Sequence, residues 1–461
     1  MARSRGRRSR GFCARAPADT LSPEARPGRA LRRVEATPTI RAPDRAPAKQ
    51  EKAILVGVSA GARERFRTES SVEELGLLVE SAGARVVGTL IQERKRKDPA
   101  TLIGRGKVEE VARVSGERAA DLVVFDDELT PAQQRNVEAT VDRKTVDRTQ
   151  LILDIFARRA RTREGRLQVE LAQLDYMLPR LAGKGVLLSR LGGGIGTRGP
   201  GETKLETDRR RIRQRIQNVK GEIEKVRRTR HTRREARQRA QAPVVALVGY
   251  TNAGKSTLFS ALTRERTEIS DQLFMTLDPL VRKIRVGAGR DVLVVDTVGF
   301  IQKLPHALVA AFRATLEEVV EADLLLHVMD ASAEDVEDRE SAVNAVLKEI
   351  GAADRPSVAV LNKSDKVGPE RARSLQAARP GSVVVSALTG EGLDTLGTTI
   401  ARHLDLLPKM VRLRFRAGDK RGIAGVYTSG RVTSHEVQGD EVTIDAEIPE
   451  RLVARYREHL V

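Results

Sequence analysis

The chain has 461 residues, with 82 Lys and Arg against 63 Asp and Glu, and a formal net charge of +19. Its length is enough for several domains, and its charge favours polyanionic partners, either nucleic acid or an anionic membrane. The single Cys, Cys13, excludes an internal disulfide and a Cys-rich zinc site. No apolar run approaches the roughly 20 residues of a membrane-spanning helix, so we expect a soluble, monomeric protein of a reducing compartment, the cytoplasm.

Residues 1–50 are rich in Arg, Ala and Pro and contain few apolar residues that a core could bury. This composition predicts a disordered basic tail. An Arg-rich, acid-poor segment is also typical of an organelle transit peptide, which is the alternative interpretation. The segment has no apolar stretch of the kind that a secretory signal requires.

Residues 51–145 are predicted to form a small α/β subdomain with a parallel sheet. The apolar runs 53–58, 85–90 and 121–125 predict strands, and the patterns over 72–82 and 107–117 predict helices between them. The Gly-rich, basic segment 103–107 is typical of the turn at a helix start, although it has the composition of a phosphate contact.

Residues 146–242 are predicted to form an antiparallel helical hairpin. Apolar residues step by four and three in two separate stretches, as two helices that zip together require. The first stretch contains Leu167, Leu171, Leu174, Leu178 and Leu181, and the second contains Ile212, Ile216, Val219, Ile223 and Val226. The glycine-rich segment 191–201 lies between them and is expected at the tip. A second helix from about residue 202 to residue 239 would be roughly 55 Å long.

The charge of this hairpin favours RNA as its partner. Between residues 158 and 239 there are 24 Lys and Arg against nine Asp and Glu, a larger excess than an ordinary solvated helix face needs. Aromatic residues make up 3% of the chain, so structured RNA contacted through its backbone is favoured over single strands bound by stacking. The predicted RNA contacts are in the tip loop: Arg190, Gly192, Gly193, Gly194, Gly196, Arg198 and Gly199.

Residues 243–407 are predicted to bind a nucleoside triphosphate through a P-loop at 249–257. The loop follows the apolar run 244–248, which predicts a strand, and precedes 258–262, which predicts the start of a helix. Glycines let backbone N–H groups turn inward around phosphate oxygens, while Lys255 would reach the β- and γ-phosphates and Ser256 would bind Mg²⁺. The predicted contacts are Gly249, Tyr250, Thr251, Asn252, Ala253, Gly254, Lys255, Ser256 and Thr257.

Three later segments indicate that the nucleotide is GTP. Asp296 ends an apolar strand and can hold Mg²⁺ through water, and the Gly299 N–H can contact the γ-phosphate. Asp365 can accept two hydrogen bonds from guanine that adenine does not offer, and each lost bond would cost on the order of 1–3 kcal/mol. A backbone N–H after the run 383–385 would meet guanine O6. The further predicted contacts are Thr297, Val298, Asn362, Lys363, Ser386, Ala387 and Leu388.

Thr276 is predicted to sense the γ-phosphate, because it lies between the P-loop and Asp296 in the chain. Its hydroxyl would bind Mg²⁺ and its N–H the phosphate, and loss of that phosphate would release the loop. The alternative is a Thr in an ordinary turn that ends at Pro279. Phe274, two residues earlier, is counted among the predicted nucleotide contacts.

Phe300 occupies the position where many GTPases carry a Gln that orients the attacking water. A phenyl ring cannot orient water, so hydrolysis is expected to be slow in the isolated protein and to need another group. The groups predicted to act in hydrolysis are Lys255, Thr276 and Gly299. A K⁺ ion bound by Asn252 would supply positive charge, although Asn is also an ordinary loop residue.

Residues 408–461 are predicted to form a small α+β domain, because apolar residues alternate over 411–415 and 441–446. The expected fold is therefore an α/β P-loop NTPase G domain, preceded by the α/β subdomain with its hairpin and followed by this domain.

The chain resembles the HflX family of ribosome-associated GTPases over about residues 51–460. The resemblance rests on GGIGTRGPGET (193–203) with LETDRR (205–210), and on VGYTNAGKST (248–257) with DTVGF (296–300). It implies binding to the large ribosomal subunit, with the loop 192–201 directed toward the peptidyl transferase centre, and GTP-dependent splitting of stalled or idle ribosomes. It also implies ATP binding by the N-terminal part, where residues 51–145 contain no second P-loop. The alternative function is a non-catalytic, GTP-gated ribosome assembly factor.

Overall fold

The computed structural model describes residues 50–181, 204–239, 242–265, 273–287, 290–303 and 313–461. Residues 1–49 and the predicted RNA-contacting loop, Arg190 to Gly199, lie outside these ranges, so the predictions made for them stay predictions. Within the described ranges, no helix combines the length and the apolar character that crossing a membrane requires.

The N-terminal unit is built on a parallel sheet in the order β2-β1-β3-β4. Its elements are β1 (Lys52–Ser59), α1 (Ala62–Ser81), β2 (Arg85–Glu93), α2 (Arg105–Glu117), β3 (Leu122–Phe125), α3 (Pro131–Val141) and β4 (Lys144–Asp147). The predicted parallel sheet is therefore present, with α3 and β4 in addition. The segment 103–107 is the turn that starts α2, whose N-cap is Gly104.

Helix α4 (Arg148–Arg159) directly follows β4 and belongs to this unit. Its residues Leu151, Ile152, Ile155 and Phe156 are buried in the same core as the strand residues Leu55 and Val124. The predicted division after residue 145 thus falls within β4, and the first helix of the range predicted as hairpin packs on the N-terminal sheet instead.

The hairpin itself consists of α5 (Arg163–Arg180) and α6 (Lys204–Arg239). Two ion pairs show that the helices are antiparallel, because Arg163 pairs with Glu222 at 3.1 Å while Glu170 pairs with Arg215 at 2.6 Å. Of the predicted seam, Leu167, Ile216 and Val219 are buried. Helix α6 has 36 residues and is therefore about 54 Å long.

The nucleotide-binding unit contains a six-stranded sheet in the order β10-β9-β8-β5-β7-β6, in which only the β6–β7 pair is antiparallel. Its elements are β5 (Val244–Gly249), α7 (Lys255–Thr263), β6 (Leu280–Val286), β7 (Arg290–Asp296), α8 (Arg313–Val320), β8 (Leu324–Asp330), α9 (Val336–Glu349), β9 (Ser357–Asn362), α10 (Pro369–Ala377), β10 (Val383–Val384) and α11 (Leu393–His403). The carboxyl ends of the parallel strands meet at one edge, where ligands bind in such sheets.

The C-terminal unit is a three-stranded antiparallel sheet in the order β11-β13-β12, with a helix on one face. Its elements are β11 (Pro408–Arg416), α12 (Lys420–Ser429), β12 (Arg431–Gln438), β13 (Glu441–Pro449) and α13 (Glu450–Val453). Leu413, Phe415, Ile444 and Val426 are buried between sheet and helix. The predicted fold class, including a small α+β unit after the nucleotide-binding unit, is confirmed.

The N-terminal core extends into the nucleotide-binding unit. Five residues of the latter are buried among the side chains of α1, α4 and α5: Leu273, Phe274, Leu277, Val298 and Ile301. They lie just before β6 and just after β7, next to the predicted γ-phosphate site. The two units therefore share one hydrophobic core beside that site.

Candidate functional site

The P-loop joins β5 to α7 at the carboxyl edge of the sheet, and its backbone geometry requires glycine. Gly249 has φ 150°, and a Cβ there would overlap the Val328 carbonyl oxygen; Gly254 has φ 89°, and a Cβ there would meet the Asn362 amide. The Thr251 N–H donates to the Phe300 carbonyl at 2.7 Å, which ties the loop to the segment after β7. The Thr251 hydroxyl is buried and has no hydrogen-bond partner within the described ranges.

Lys255 lies at the first position of α7 and is buried beneath the loop. Its Nζ donates to the carbonyls of Gly249 at 3.0 Å and Tyr250 at 2.7 Å. Burial lowers the pKa of Lys255 to about 8, and the charge of Asp296 only partly opposes this. An anionic ligand would stabilise the protonated form of this buried ammonium, because it would replace the stabilisation of the charge that water no longer provides.

This pKa gives a testable pH dependence of nucleotide affinity. A bound phosphate stabilises protonated Lys255 and raises its pKa, so binding above pH 8 must take up a proton. We therefore expect the Kd for GDP to be constant between pH 6.5 and 7.5 and to rise by up to about tenfold per pH unit above 8. Calorimetric titration at pH 7, 8 and 9 measures this; an unchanged Kd at pH 9 would contradict it, and unchanged circular dichroism at pH 9 is the control.

Ser256, Thr276 and Asp296 converge on one point, although they come from three segments of the chain. Ser256 Oγ lies 2.9 Å from Thr276 Oγ1, and both hydroxyls donate to Asp296 Oδ2 at 2.8 Å. Burial raises the pKa of Asp296, whereas the charge of Lys255 lowers it. Two hydroxyls and a carboxylate are the hard oxygen donors that Mg²⁺ prefers, so this donor set fits that ion.

Gly299 lies close to both Lys255 and the P-loop. A Cβ at this position would be 2.9 Å from Lys255 Nζ and 2.8 Å from Thr251 Cγ2, so that only glycine fits. The preceding residues are buried supports, because Thr297 Oγ1 donates to the Leu247 carbonyl at 2.6 Å and Val298 packs in the shared core. This arrangement leaves the Gly299 backbone beside the phosphate loop, as its predicted role requires.

Phe274 and Tyr250 are predicted nucleotide contacts whose side chains pack against the N-terminal unit. The Phe274 ring is buried against Phe156 of α4, with ring centroids 4.6 Å apart. The Tyr250 hydroxyl accepts from the Gln302 N–H at 2.8 Å and donates to Glu74 of α1. In both residues the apolar ring is used for packing, so only the backbone remains for contact with a nucleotide.

Phe300 is buried in the core beneath α8 and is 1% exposed. Its backbone pairs with Gly249 and Thr251, and its ring has no access to a γ-phosphate. Phe300 itself therefore cannot take the role of the missing Gln.

The predicted guanine site is formed by the segments after β9 and β10. Asn362 is buried and joins two loops, because its Nδ2 donates to the Ala253 carbonyl at 2.9 Å and its Oδ1 accepts from the Ala387 N–H at 3.0 Å. The Asp365 carboxylate is exposed and accepts from Ser386 Oγ at 2.5 Å. The carboxylate therefore stands open beside the loop where a base is expected.

Other predicted contacts occupy the rim of this site. Lys363, with φ 64°, donates to Asp330 at 2.7 Å, so its ammonium is held in the wall and its aliphatic stem faces the P-loop at Gly254. Leu388 is 73% exposed and Asn252 is exposed with φ 58°. Thr257 follows Ser256 in the first turn of α7 and is half-buried.

A buried charge network links the N-terminal unit to the P-loop, and it was not predicted from the sequence. The Arg148 guanidinium lies 2.6 Å from Glu74 and 2.9 Å from Asp126, and it donates to the Gln302 carbonyl at 2.9 Å. Lys303 pairs with the same Asp126. The partners are far apart in the chain, so no local motif marks them.

The chain is similar to several known proteins. Three family models match in turn: GTP-binding GTPase N-terminal over residues 69–157, GTP-binding GTPase Middle Region over 159–237, and 50S ribosome-binding GTPase over 244–363. The GTPase HflX of Caldanaerobacter subterraneus subsp. tengcongensis is 45% identical over 89% of this chain and 94% of its own. The GTPase HflX of Escherichia coli K12 is 46% identical over 79% of this chain and 88% of its own. A crystal structure of a Sulfolobus solfataricus GTP-binding protein in complex with GDP covers 77% of this chain and 98% of its own, at 24% identity and a TM-score of 0.41.

The P-loop, the Asp296 segment and the Asn362–Asp365 motif on a six-stranded sheet define a GTP-binding P-loop protein. The identities with the curated relatives extend over nearly their whole length. The chain belongs to the HflX family of GTPases, and it is a GTP hydrolase.

Proposed function

We propose that this protein binds the large ribosomal subunit and couples GTP binding and hydrolysis to the splitting of stalled or idle ribosomes. The observation that carries the proposal is the basic hairpin, which is joined directly to the nucleotide-binding unit. On α6 the side chains of Arg210, Arg213 and Lys220 are exposed, as contacts to an RNA backbone require. The match of residues 244–363 to a model described as 50S ribosome-binding GTPase supports the same partner.

In the proposed mechanism, Lys255 and the Gly299 N–H bind the β- and γ-phosphates, and Asp365 with a backbone N–H of the segment after β10 selects guanine. Ser256, Thr276 and, through water, Asp296 would hold Mg²⁺, which neutralises phosphate charge when bound. Asn252 would bind K⁺ at the rim. Thr276 responds to the γ-phosphate, so the protein docks on rRNA in its GTP form and leaves after hydrolysis.

The buried Phe300 supports slow hydrolysis in the absence of the ribosome. The phenyl ring cannot orient the attacking water, and in the proposed mechanism a ribosomal group completes the site. The same observation favours the alternative, a non-catalytic assembly factor for which GTP only permits binding. Splitting of intact ribosomes with GTP and with a non-hydrolysable analogue separates the two: splitting followed by release only with GTP supports the proposal, and no splitting with either contradicts it.

We expect large subunits to stimulate GTP hydrolysis at least tenfold, and more in K⁺ than in Na⁺. Deleting residues 192–201, which contain the predicted RNA contacts Gly192, Gly193, Gly194, Gly196, Arg198 and Gly199, should abolish this stimulation and leave GDP affinity unchanged. Phosphate release measured with and without subunits in each salt provides the test. Stimulation that survives the deletion would show that the tip is not the contact; the intact chain with small subunits is the control.

A further inference from the structure

The segment that carries Thr276 is fixed to the N-terminal unit on both sides of that residue. Leu273, Phe274 and Leu277 are all less than 4% exposed, and they are buried among α1, α4 and α5. The Leu273 N–H also donates to Ser81 Oγ, at the end of α1, at 3.1 Å. In many GTPases the corresponding loop becomes disordered when the γ-phosphate is lost. Here the packing opposes that disorder, so a movement of Thr276 must move its surroundings.

Asp278, two residues after Thr276, is bonded to the start of hairpin helix α5. Its Oδ2 accepts from the backbone N–H groups of Arg161 at 3.0 Å and Thr162 at 2.8 Å. Its Oδ1 accepts from the hydroxyl of Thr162, which is the N-cap of α5 and accepts in turn from the Gly165 N–H at 3.0 Å. A carboxylate in this position also interacts favourably with the helix dipole. Asp278 is thus held to the first turn of α5 by several bonds that act together.

Gly165 permits this contact. A Cβ at residue 165 would overlap Asp278 Oδ1 and lie 3.2 Å from Thr162 Oγ1. Glycine in the first turn of a helix lowers helix stability relative to alanine, so its presence is explained by the close approach of Asp278. Helix α6 contains another glycine, Gly221, where a Cβ would meet nothing within 4 Å.

These contacts form a continuous path from the phosphate site to the hairpin. Thr276 bonds Ser256 and Asp296 in the nucleotide site, the chain continues to Asp278, and Asp278 bonds the N-terminus of α5. Helix α5 is in turn paired with α6 through Glu170 and Arg215. The phosphate site and the base of the hairpin are therefore joined through Asp278.

We propose that Asp278 is a positioning residue that couples the orientation of the hairpin to the nucleotide sensed by Thr276. The proposal rests on the proposed role of Thr276 as γ-phosphate sensor. The proposed role of Asp278 differs from that of a purely structural helix cap, because a cap would stabilise α5 equally with GDP and with GTP bound. The readout must therefore be the dependence of hairpin position on nucleotide, not the stability of the helix.

The test measures the distance between the hairpin and the nucleotide-binding unit by pulsed electron spin resonance. The chain has one cysteine, so spin labels can be placed on Gln217→Cys and Asp354→Cys in a Cys13→Ser background. Residues 217 and 354 are exposed, on α6 and in the loop after α9. Distances are compared between GDP and a non-hydrolysable GTP analogue, both bound at saturation.

We expect the intact sequence to show a distance shift between the two nucleotides. Asp278→Ala and Gly165→Ala should each lose this shift while their affinities for both nucleotides stay within about twofold. Gly221→Ala, the matched control, should keep it. The Gly165 variant also covers the case in which Asp278→Ala fails to fold, because alanine is the better helix former at that position.

A shift that persists in both the Asp278 and Gly165 variants would overturn the proposal, as would the absence of any shift in the intact sequence. Thr276→Ala in the labelled chain separates this inference from the proposed function. This variant should lose the distance shift if Thr276 is the sensor. A distance shift that persists in it would overturn the coupling path. A nucleotide-dependent shift without stimulation by large subunits would contradict the ribosomal role alone.

Discussion

Replacing Asp365 with Asn is expected to weaken GTP binding by about 100-fold or more and to create affinity for xanthosine triphosphate. The Asp365 carboxylate is exposed beside the loop after β10, and within the described residues its hydrogen bond comes from Ser386 Oγ. Guanine would donate two further bonds to it, and bonds to a charged group contribute about 1.5–3 kcal/mol each. An Asn amide can instead donate to the 2-oxo group of xanthine.

Competition of both nucleotides against a fluorescent GDP analogue measures this exchange. Asp354→Asn, which neutralises an exposed carboxylate in a distant loop, is the control and should bind GTP as the intact protein does. If Asp365→Asn binds GTP with unchanged affinity, Asp365 does not contact the base. Asn362 joins the P-loop to the loop after β10 in the variant as in the intact protein. A loss of GTP affinity in Asp365→Asn would therefore not reflect a collapsed P-loop.

Replacing Arg148 with Met is expected to lower the free energy of unfolding by about 3–5 kcal/mol. Arg148 is 2% exposed, and its guanidinium neutralises Asp126, which is fully buried, and Glu74. Its removal leaves a buried carboxylate whose remaining cationic partner among the described residues is Lys303. Urea unfolding followed by circular dichroism measures the loss. Arg67→Met is the control, because the exposed pair of Arg67 with Asp338 should contribute less than about 1 kcal/mol.

The effect of Arg148→Met should become smaller in acid. Burial raises the pKa of Asp126, but the charges of Arg148 and Lys303 outweigh it and hold this pKa below its ordinary value. The contribution of such a carboxylate to the free energy of unfolding is fully present above its pKa in the unfolded state, about 3.9. It is lost as the pH falls through its lower pKa in the folded state. In the variant Asp126 can take up a proton at higher pH, which removes the unpaired charge. A destabilisation that stays constant from pH 7 to pH 4 would contradict this account.

The nucleotide site could be predicted from sequence because each of its loops carries its own local signature. A P-loop needs glycines where φ is positive, as at Gly249 and Gly254, and the three loops follow strands whose apolar runs are visible in one dimension. The roles of Phe274 and Tyr250 could not be obtained in that way. Their partners, Phe156 and Glu74, are more than 100 residues away in the chain, and periodicity reports only on neighbours within one element.

Strand β4 and helix α3 of the N-terminal unit were not predicted, for two different reasons. Strand β4 has four residues, Lys144–Asp147, too few to show alternation. Helix α3 did have a readable signal, since Thr130 and Gln133 form a capping box around Pro131 at the first turn. The expected release of the Thr276 loop was an inference from sequence order, and it took no account of the packing of Leu273, Phe274 and Leu277 into the neighbouring unit.

The shared core also bears on how the chain folds during its own synthesis. The N-terminal sheet and α4 are complete by about residue 160, but their core includes residues 273–301. At about 5–20 residues per second, the roughly 140 residues between these points take about 7–28 s to be added. For that time the apolar side chains of α1 and α4 that pack against these residues are without that partner. Chaperones that bind exposed apolar surface should therefore engage this chain between the completion of α4 and the emergence of Ile301.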